Sequence, residues 1–454
     1  MPKKKTALTI EERLQQALVP AEEQPYEVPE NWVWVRLGEV NKYVSKSVNP
    51  ISEPDKIFEL YSVPSMADDY PEIIAGSDIG SSKQSVCKED VLLCKINPRI
   101  NRVWKVSQFT DNELIASSEW IIIRNNHINA NYLMYCFQSK YFREFMLSNV
   151  SGVGGSLMRA QPKYVQTYPI PLPPLSEQQR IVESIEELFA KLDEAKERLQ
   201  EVADSFAVRK AAILHNAFTG ELTKQWRREN GVSYESWEEK KGEDFFEYVT
   251  SGSRGWAKYY SDKGSIFIRM GNLNHGTIEL DFSDIQYVEL PDQVEGQRSK
   301  LQKNDILISI TADVGMIALV REDMDAYINQ HVALARPKND LYAEFLAWYF
   351  VSDDGLQQMQ NKQRGATKIG LGLQDIRSII LKIPTLPEQH EIVRLIDDLL
   401  ARERAAQQAA EQALASIDLM KKSILARAFR GELGTNKASE ASALELLKQV
   451  LAEN

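Results

Sequence analysis

Leu175-Ser176-Glu177-Gln178-Gln179-Arg180-Ile181-Val182 and Leu386-Pro387-Glu388-Gln389-His390-Glu391-Ile392-Val393 open the two stretches that decide the architecture of this 454-residue chain. The first stretch ends in Ala217-Phe218-Thr219-Gly220-Glu221-Leu222 and the second in Ala428-Phe429-Arg430-Gly431-Glu432-Leu433. Both ends lie 211 residues apart (386 − 175 and 433 − 222), so 48 residues align without a gap, eighteen of them identical. Composition alone does not give two unrelated amphipathic helices so many shared positions. The pattern is an internal repeat with a period far longer than a solenoid unit, and it marks a duplicated half-protein.

Each copy carries the signals of a long helix. Ser176 with Gln179, and Thr385 with Glu388, fit a capping box, in which a hydroxyl accepts a first-turn N–H and the N3 side chain answers. Pro387 falls in the first turn, where a missing N–H costs nothing. Gly220 and Gly431 stand where a helix would stop. In the first copy Ile181, Ile185, Leu188, Leu192, Ala195, Leu199, Val202 and Phe206 recur at alternating intervals of four and three. That heptad seam requires a partner helix. The second copy repeats it as Ile392, Ile396, Leu399, Glu403, Ala406, Ala410, Ala413 and Ile417, with Glu403 interrupting it. Roughly 40 helical residues make a rod about 60 Å long. The two rods are expected to pack as an antiparallel coiled coil if the halves are related by a two-fold.

The length allows two or three domains with real cores. An apolar fraction of 43% and a charged fraction of 26% are ordinary for a globular protein. Cys87, Cys94 and Cys136 form no CxxC pair, which suits a reducing cytoplasm and argues against structural zinc. There is no apolar run of about 18 residues, and the opening MPKKKTALTIEERLQQ is charged without an apolar centre, so neither a membrane span nor a signal peptide is expected. A net charge of −11 weighs against a nucleic-acid binder, but its distribution matters more than its sum. Residues 176–201 are strongly acidic, whereas 81–110 concentrate Lys83, Lys88, Lys95, Arg99, Arg102 and Lys105.

Taken in order, residues 1–28 read as a mobile arm with a short helix near Glu11–Leu18. Residues 29–174 form a first globular region. It opens on a strand at Trp32–Gly38, continues through the apolar strands Val91–Cys94 and Trp120–Ile123 and a helix at Tyr132–Phe137, and then reaches a Gly152–Ser156 loop. Pro169, Pro171, Pro173 and Pro174 make an extended lead-in to the first long helix, 175–222. A second globular region, 223–385, repeats the order, with Asp305-Ile306-Leu307 answering Asp90-Val91-Leu92. The helix at Ala343–Ser352 answers Ala130–Ser139, and Gly365–Lys368 answers the Gly152 loop. The second long helix, 386–433, is followed by a frayed tail, 434–454. Helix identities outnumber lobe identities, so two lobes share a scaffold and differ in surface. The fold class is α+β: two pseudo-symmetric lobes separated by the two long helices.

Catalytic signatures are missing. There is no GxxxxGK[ST] phosphate loop, no continuation of the Gly152 cluster into GxGxxG, no Asn/Asp-Pro-Pro-aromatic tetrad and no HExxH. The five histidines are scattered without ligand spacing. Glu238-Glu239-Lys240-Lys241 reads as a solvated charge run rather than a nuclease motif. Loop positions do gather bases, amides and hydroxyls. In the first lobe these are Ser82, Lys83, Lys95, Arg99, Arg102, Lys105, Ser156 and Arg159. In the second they are Ser253, Arg254, Lys258, Arg269, Asn272, Thr311, Gln330, Arg364 and Lys368. Arg and Lys neutralise phosphates, and Arg, Asn and Gln read guanine and adenine edges in the major groove. These residues are candidates for a DNA-binding surface, and Ile181, Ile185, Leu188, Leu192, Leu199, Phe206, Ile392, Ile396, Leu399 and Ile417 are candidates for the helix seam and partner docking.

The duplicated Leu-x-Glu-Gln start, the Gly-Glu-Leu end, Trp226-Arg227 after the first copy and the Trp32…Leu37-Gly38 opening resemble the specificity (S) subunits of type I restriction-modification systems. The resemblance spans residues 28 to 433. It implies that each lobe is a target recognition domain reading one half of a bipartite DNA site. It also implies that the helices are spacers docking two methyltransferase (M) subunits, through which nuclease-translocase (R) subunits join. S-adenosylmethionine, ATP and Mg would then belong to those partners, with no cofactor or metal in this chain, which would be a non-catalytic subunit in a prokaryotic cytoplasm. His390-Glu391 in place of Gln179-Arg180 departs from equivalence of the two helix faces. A two-lobed coiled-coil scaffold that binds proteins without reading DNA is the alternative that the residues leave open.

Overall fold

The structure is a computed structural model that describes residues 8–151, 158–291, 297–364 and 370–452. The loop glycines Gly152–Gly155, with Ser156, and the segment Gly365–Lys368 lie outside the described residues. The chain divides into two compact units, residues 1–198 with 413–454 and residues 199–412. The units therefore do not coincide with the globular regions read from the sequence, since each takes half of both long helices. The first long helix is Leu175–Asp204, continued after Ser205 by Phe206–Phe218, and the second is Leu386–Ala428. Both stop at a left-handed glycine, Gly220 (φ +81°) and Gly431 (φ +73°), where an L side chain would be strained.

The two units repeat one topology. Val33–Arg36 pairs antiparallel with Pro169–Leu172 in the first unit, and Glu238–Lys241 with Ile380–Ile383 in the second. After each of these opening strands a glycine, Gly38 or Gly242, lets the backbone pass close to a short helix. An added Cβ would stand 2.9 Å from Gln166 and 2.5 Å from the Ile376 carbonyl, respectively. A small antiparallel sheet follows. It is built on Val91–Cys94 with Val103–Lys105 and Trp120–Ile123 in the first unit, and on Ile306–Ser309 with Ile317–Leu319 and Val332–Pro337 in the second. Both units also have an outer sheet containing one parallel pair, Ile57–Tyr61 beside Glu113–Ala116 and Ser265–Ile268 beside Ala326–Ile328. A helix pair completes each core, Ala130–Gln138 with Lys140–Ser148, and Ala343–Val351 with Asp353–Asn361.

The long helices run antiparallel within each unit. In the first, Ile181 and Ile185 share a core with Leu425 and Phe429, and further along Asp193 pairs with Lys421 at 2.5 Å. In the second, Leu214 and Ala217 share a core with Ile392, Ile396 and Leu400, and Arg209 pairs with Glu403 at 2.6 Å. Glu403, which breaks the apolar repeat, is thus matched by a cation on the facing helix. The seam differs from its expected register at two places: Val202 is exposed while Ala203 turns inward, and Ala406 is exposed while Gln407 turns inward. A straight helix drifts against a strict heptad, so in each long helix the inward position moves on by one residue there. Leu188, Leu192, Leu199, Phe206 and Leu399 are half-buried, and Ile417 is buried.

Two other expectations are corrected. The capping boxes are replaced by a buried latch. The amides of Glu177 and Gln178 donate to the Pro174 carbonyl, and those of Glu388 and Gln389 to the Thr385 carbonyl, which frees all four side chains to turn inward. Nor are the described parts of the first and last segments loose. Thr9 and Glu12 cap a helix at Ile10–Ala17, which packs on a C-terminal helix, Ala443–Ala452, while Ala17, Leu447, Val450 and Leu451 enter the first core. Short amphipathic helices are marginal alone, and tertiary packing supplies what local propensity does not.

The latch is asymmetric in charge. Glu388, fully buried, accepts from the Arg227 guanidinium at 2.6 Å, Thr223 Oγ1 at 2.7 Å and Trp237 Nε1 at 3.0 Å. Glu177, also fully buried, accepts from neutral donors, Trp32 Nε1 at 2.7 Å, Asn436 Nδ2 at 2.9 Å and Thr435 Oγ1 at 3.3 Å. Replacing one partner of a buried ion pair strands the other charge, at a cost of about 3–5 kcal/mol, against about 1.5–3 kcal/mol for hydrogen bonds from neutral donors to a carboxylate. Glu388→Gln is therefore expected to lower the urea midpoint of its unit clearly more than Glu177→Gln lowers that of its own. Equal shifts would show that Arg227 contributes nothing there.

Candidate nucleic-acid interface

The central strands of each unit have a structural end and an open end. At the structural end Arg124 donates to both oxygens of buried Asp90 at 2.7 and 2.6 Å, and Arg336 to both oxygens of buried Asp305 at 2.7 and 2.9 Å. The same carboxylates accept the amides of Cys87 and Gln302, closing the turns that launch the strands. Tyr43 and Tyr248 lie against the two guanidiniums at 5.3 and 5.9 Å. Burial pushes the Asp305 carboxyl up, while Arg336 beside it pulls it back. Beyond this end the chain runs to the helix pair, where the amides of Asn129 and Tyr342 are held by Gln178 and Gln389, each at 2.9 Å. The structural end is thereby tied to the long helices.

The opposite end is an apex with the same backbone wiring in both units. Lys95 N donates to the Glu119 carbonyl at 3.0 Å, and Ile310 N to the His331 carbonyl at 2.9 Å. Ala160 N donates to the Lys95 carbonyl and Leu371 N to the Ile310 carbonyl, both at 2.8 Å. Ser117 N reaches the Tyr61 carbonyl and Asn329 N the Ile268 carbonyl, both at 3.0 Å. Ile96 bridges Arg159 as Thr311 bridges Gly370. Even the strain is shared: Asn97 (φ +48°) and Ala312 (φ +62°) are left-handed at equivalent positions. Such a conformation costs an L residue about 1–3 kcal/mol and persists where the surroundings impose it, often at functional turns.

Side chains at the two apices differ. In the first unit Arg159 donates from Nε and Nη2 to the two Glu119 oxygens, each at 3.3 Å. Exposed Arg99 and half-exposed Arg102 follow Lys95 around the turn at Pro98–Ile100, and Gln84 Nε2 reaches the Ser117 and Trp120 carbonyls. In the second unit His331 Nδ1 lies 2.6 Å from Thr311 Oγ1, and its Nε2 lies 2.9 Å from Gln330 Nε2. Ser253 bridges Asn329, and Arg364 bridges Gly370, so both join this group. Arg254 is exposed beside Ser253.

The candidate list therefore divides. Lys95, Arg99, Arg102 and Arg159 meet at the first apex, and Ser253, Arg254, Thr311, Gln330 and Arg364 at the second. Ser82 precedes and Lys83 opens the strand Lys83–Ser85, which lies between Ser47–Val48 and Glu113–Ala116, and Lys83 donates to Ser81 while burial lowers its pKa. Lys258 stands over Tyr259. Two assignments are corrected. Lys105 pairs with Val91 across the sheet, at the structural end, and faces Glu89 at 3.7 Å. Asn272 is buried and staples a loop, donating to the Asp281 and Asp284 carbonyls and accepting from Arg269 N, so it is not available to a ligand. Arg269 and Arg364 are partly spent on Asp284 and Asp375, at 2.7 and 2.9 Å. Ser156 and Lys368 lie outside the described residues. Glu119 and His331 escaped the sequence reading; their one signal is that each sits just before or at the start of an apolar strand. Among the described residues no group of His, Cys, Asp or Glu is arranged to hold a metal ion, and no helix is long and apolar enough to cross a membrane.

The chain resembles known proteins along most of its length. Residues 29–204 and 234–413 each match the type I restriction modification DNA specificity domain. The EcoBI specificity subunit of Escherichia coli is 30% identical over 306 residues, which is 63% of this chain and 64% of that protein. The EcoKI specificity subunit of the same species is 27% identical over 345 residues, 72% of each chain. In fold, the HsdS subunit of Thermoanaerobacter tengcongensis aligns with a TM-score of 0.68 at 22% identity, covering 90% of this chain and all of that one. A chain from a solved type I restriction-modification assembly aligns with a TM-score of 0.67 at the same identity. With two such domains on one repeated α+β scaffold, the chain belongs to the specificity subunits of type I restriction-modification systems, the family that recognises DNA without catalysing its modification.

Proposed function

We propose that each lobe reads one half of a bipartite DNA site and that the long helices fix the gap between the half-sites. The observation that supports this reading most directly is the pair of apices, with one backbone wiring and two different sets of polar side chains. A scaffold repeated to hold two different reading heads needs this combination. On this reading the exposed faces of the long helices dock two methyltransferase subunits, and nuclease-translocase subunits join through them. S-adenosylmethionine, ATP and Mg then reside on those partners, and the complex works in a prokaryotic cytoplasm. The acidic balance of the chain is compatible with this role, because positive charge is needed only near the apices and the partners complete the DNA channel.

The experiment that tests it is co-expression with the cognate methyltransferase subunit, followed by sequencing of modified adenines in DNA exposed to the complex. One bipartite motif with a fixed gap is the expected result. A stable complex that leaves DNA unmodified would favour a protein-binding scaffold instead. Phosphate contacts release counterions, so Lys95→Ala with Arg99→Ala should weaken binding to all sequences alike and lower the slope of log K against log salt by about 2. A rod also acts as a ruler. A four-residue insertion at the same level of both long helices adds about 6 Å and should shift the preferred gap by one or two base pairs. An unchanged gap in the modified motif would rule out the ruler.

A further inference from the structure

The two apices do not offer the same chemistry to a base pair. In the second unit the Gln330 carboxamide nitrogen can only donate, so the 2.9 Å contact makes His331 Nε2 the acceptor. The ring proton then sits on Nδ1 and is given to Thr311 Oγ1 at 2.6 Å. Among the described residues Gln330 is fixed through one N–H, and its other N–H and its carbonyl oxygen stay unspent, a donor and an acceptor on one carboxamide. That pair matches the N7 acceptor and N6 donor of adenine in the major groove. In the first unit the corresponding neighbour is Glu119, which holds Arg159 through Nε and one hydrogen of Nη2. The guanidinium keeps three Nη hydrogens, of which one on each Nη stand side by side as a pair of donors that matches O6 and N7 of guanine. His331 and Glu119 occupy equivalent positions in the wiring, each beside a residue that it orients.

We propose that Gln330, oriented by His331 and Thr311, reads an adenine in the half-site of the second unit, and that Arg159, oriented by Glu119, reads a guanine in the half-site of the first. This rests on the reading of the lobes as DNA-recognition heads. Glu119, His331 and Thr311 act as positioning residues.

The test is modified-adenine sequencing with the chain complexed to its methyltransferase, comparing the parent with Gln330→Ala, Gln330→Glu, Arg159→Ala and His331→Ala. Gln330→Ala should relax one position of one half-site, with discrimination there falling roughly 5- to 150-fold, and leave the other half-site unchanged. Gln330→Glu offers only acceptors and should move the preference at that position from adenine toward cytosine, whose N4 donates. That is a change a merely unfolded or loosened apex does not produce. Arg159→Ala should relax a guanine position in the other half-site alone, and His331→Ala should soften the Gln330 position without shifting its preference. A parent complex that yields no bipartite motif defeats the functional reading itself. A clear parent motif that all four variants leave untouched, or that Gln330→Glu merely weakens evenly at every position, overturns this assignment while leaving that reading intact.

Discussion

A carboxylate buried in the first turn of each long helix is the constraint on which the rest of the architecture depends. Glu177 and Glu388 are completely shielded from solvent, and a charge in that position is tolerable only if several donors converge on it. The donors come from far along the chain: Trp32, Thr435 and Asn436 for Glu177, and Thr223, Arg227 and Trp237 for Glu388. Satisfying one carboxylate therefore fixes the opening strand of a lobe, the start of one long helix and the segment following the end of the other. The adjacent glutamines extend the grip. Gln178 and Gln389 accept the amide at the start of a lobe helix and donate to the Pro173 and Pro384 carbonyls. One dipeptide thus joins lobe and helix at both of its occurrences.

From that joint each unit is built outward. A buried Asp–Arg pair closes the near end of the central strands, and a left-handed turn closes the far end. The near end is saturated with bonds to its own chain. The far end is wired through backbone groups, which leaves side chains free to vary. This division of labour suits a recognition module, because chemistry can be exchanged at the apex without touching the bonds that hold the fold. The contrast between Glu119 with Arg159 and His331 with Thr311 and Gln330 is such an exchange within one chain. Pairing also limits the charge on offer. Arg159, Arg269 and Arg364 each have a carboxylate partner, so fewer cations face outward than the base count suggests.

The repeat, the two long helices, their antiparallel seams, the apolar strands and the first helix of each lobe's helix pair were legible in the sequence. Each rests on periodicity or on local stop signals, which act over a few residues. Three features were not legible. The inward turn of Glu177 and Glu388 was hidden because a Ser-x-x-Gln or Thr-x-x-Glu pattern also suits a local cap, and only distant Trp and Arg donors decide between the two. The docking of the Ile10–Ala17 and Ala443–Ala452 helices was hidden because a helix this short is marginal alone and nothing in its own residues names a partner at the other end of the chain. Among the candidate DNA contacts, residue type pointed to Asn272 and Lys105 as readily as to Gln330 and Arg159. Burial and ion pairing separate them.

The sequence by itself determined that the protein is a duplicated α+β chain of the specificity-subunit family, since repetition and period survive in one dimension. Only the tertiary structure decided which polar residues stand together at each apex and which are consumed in holding the fold. A hydrogen bond between residues far apart in the chain, such as that of Trp237 with Glu388, leaves no periodic trace, and whether a side chain is spent or free depends on what the fold brings beside it.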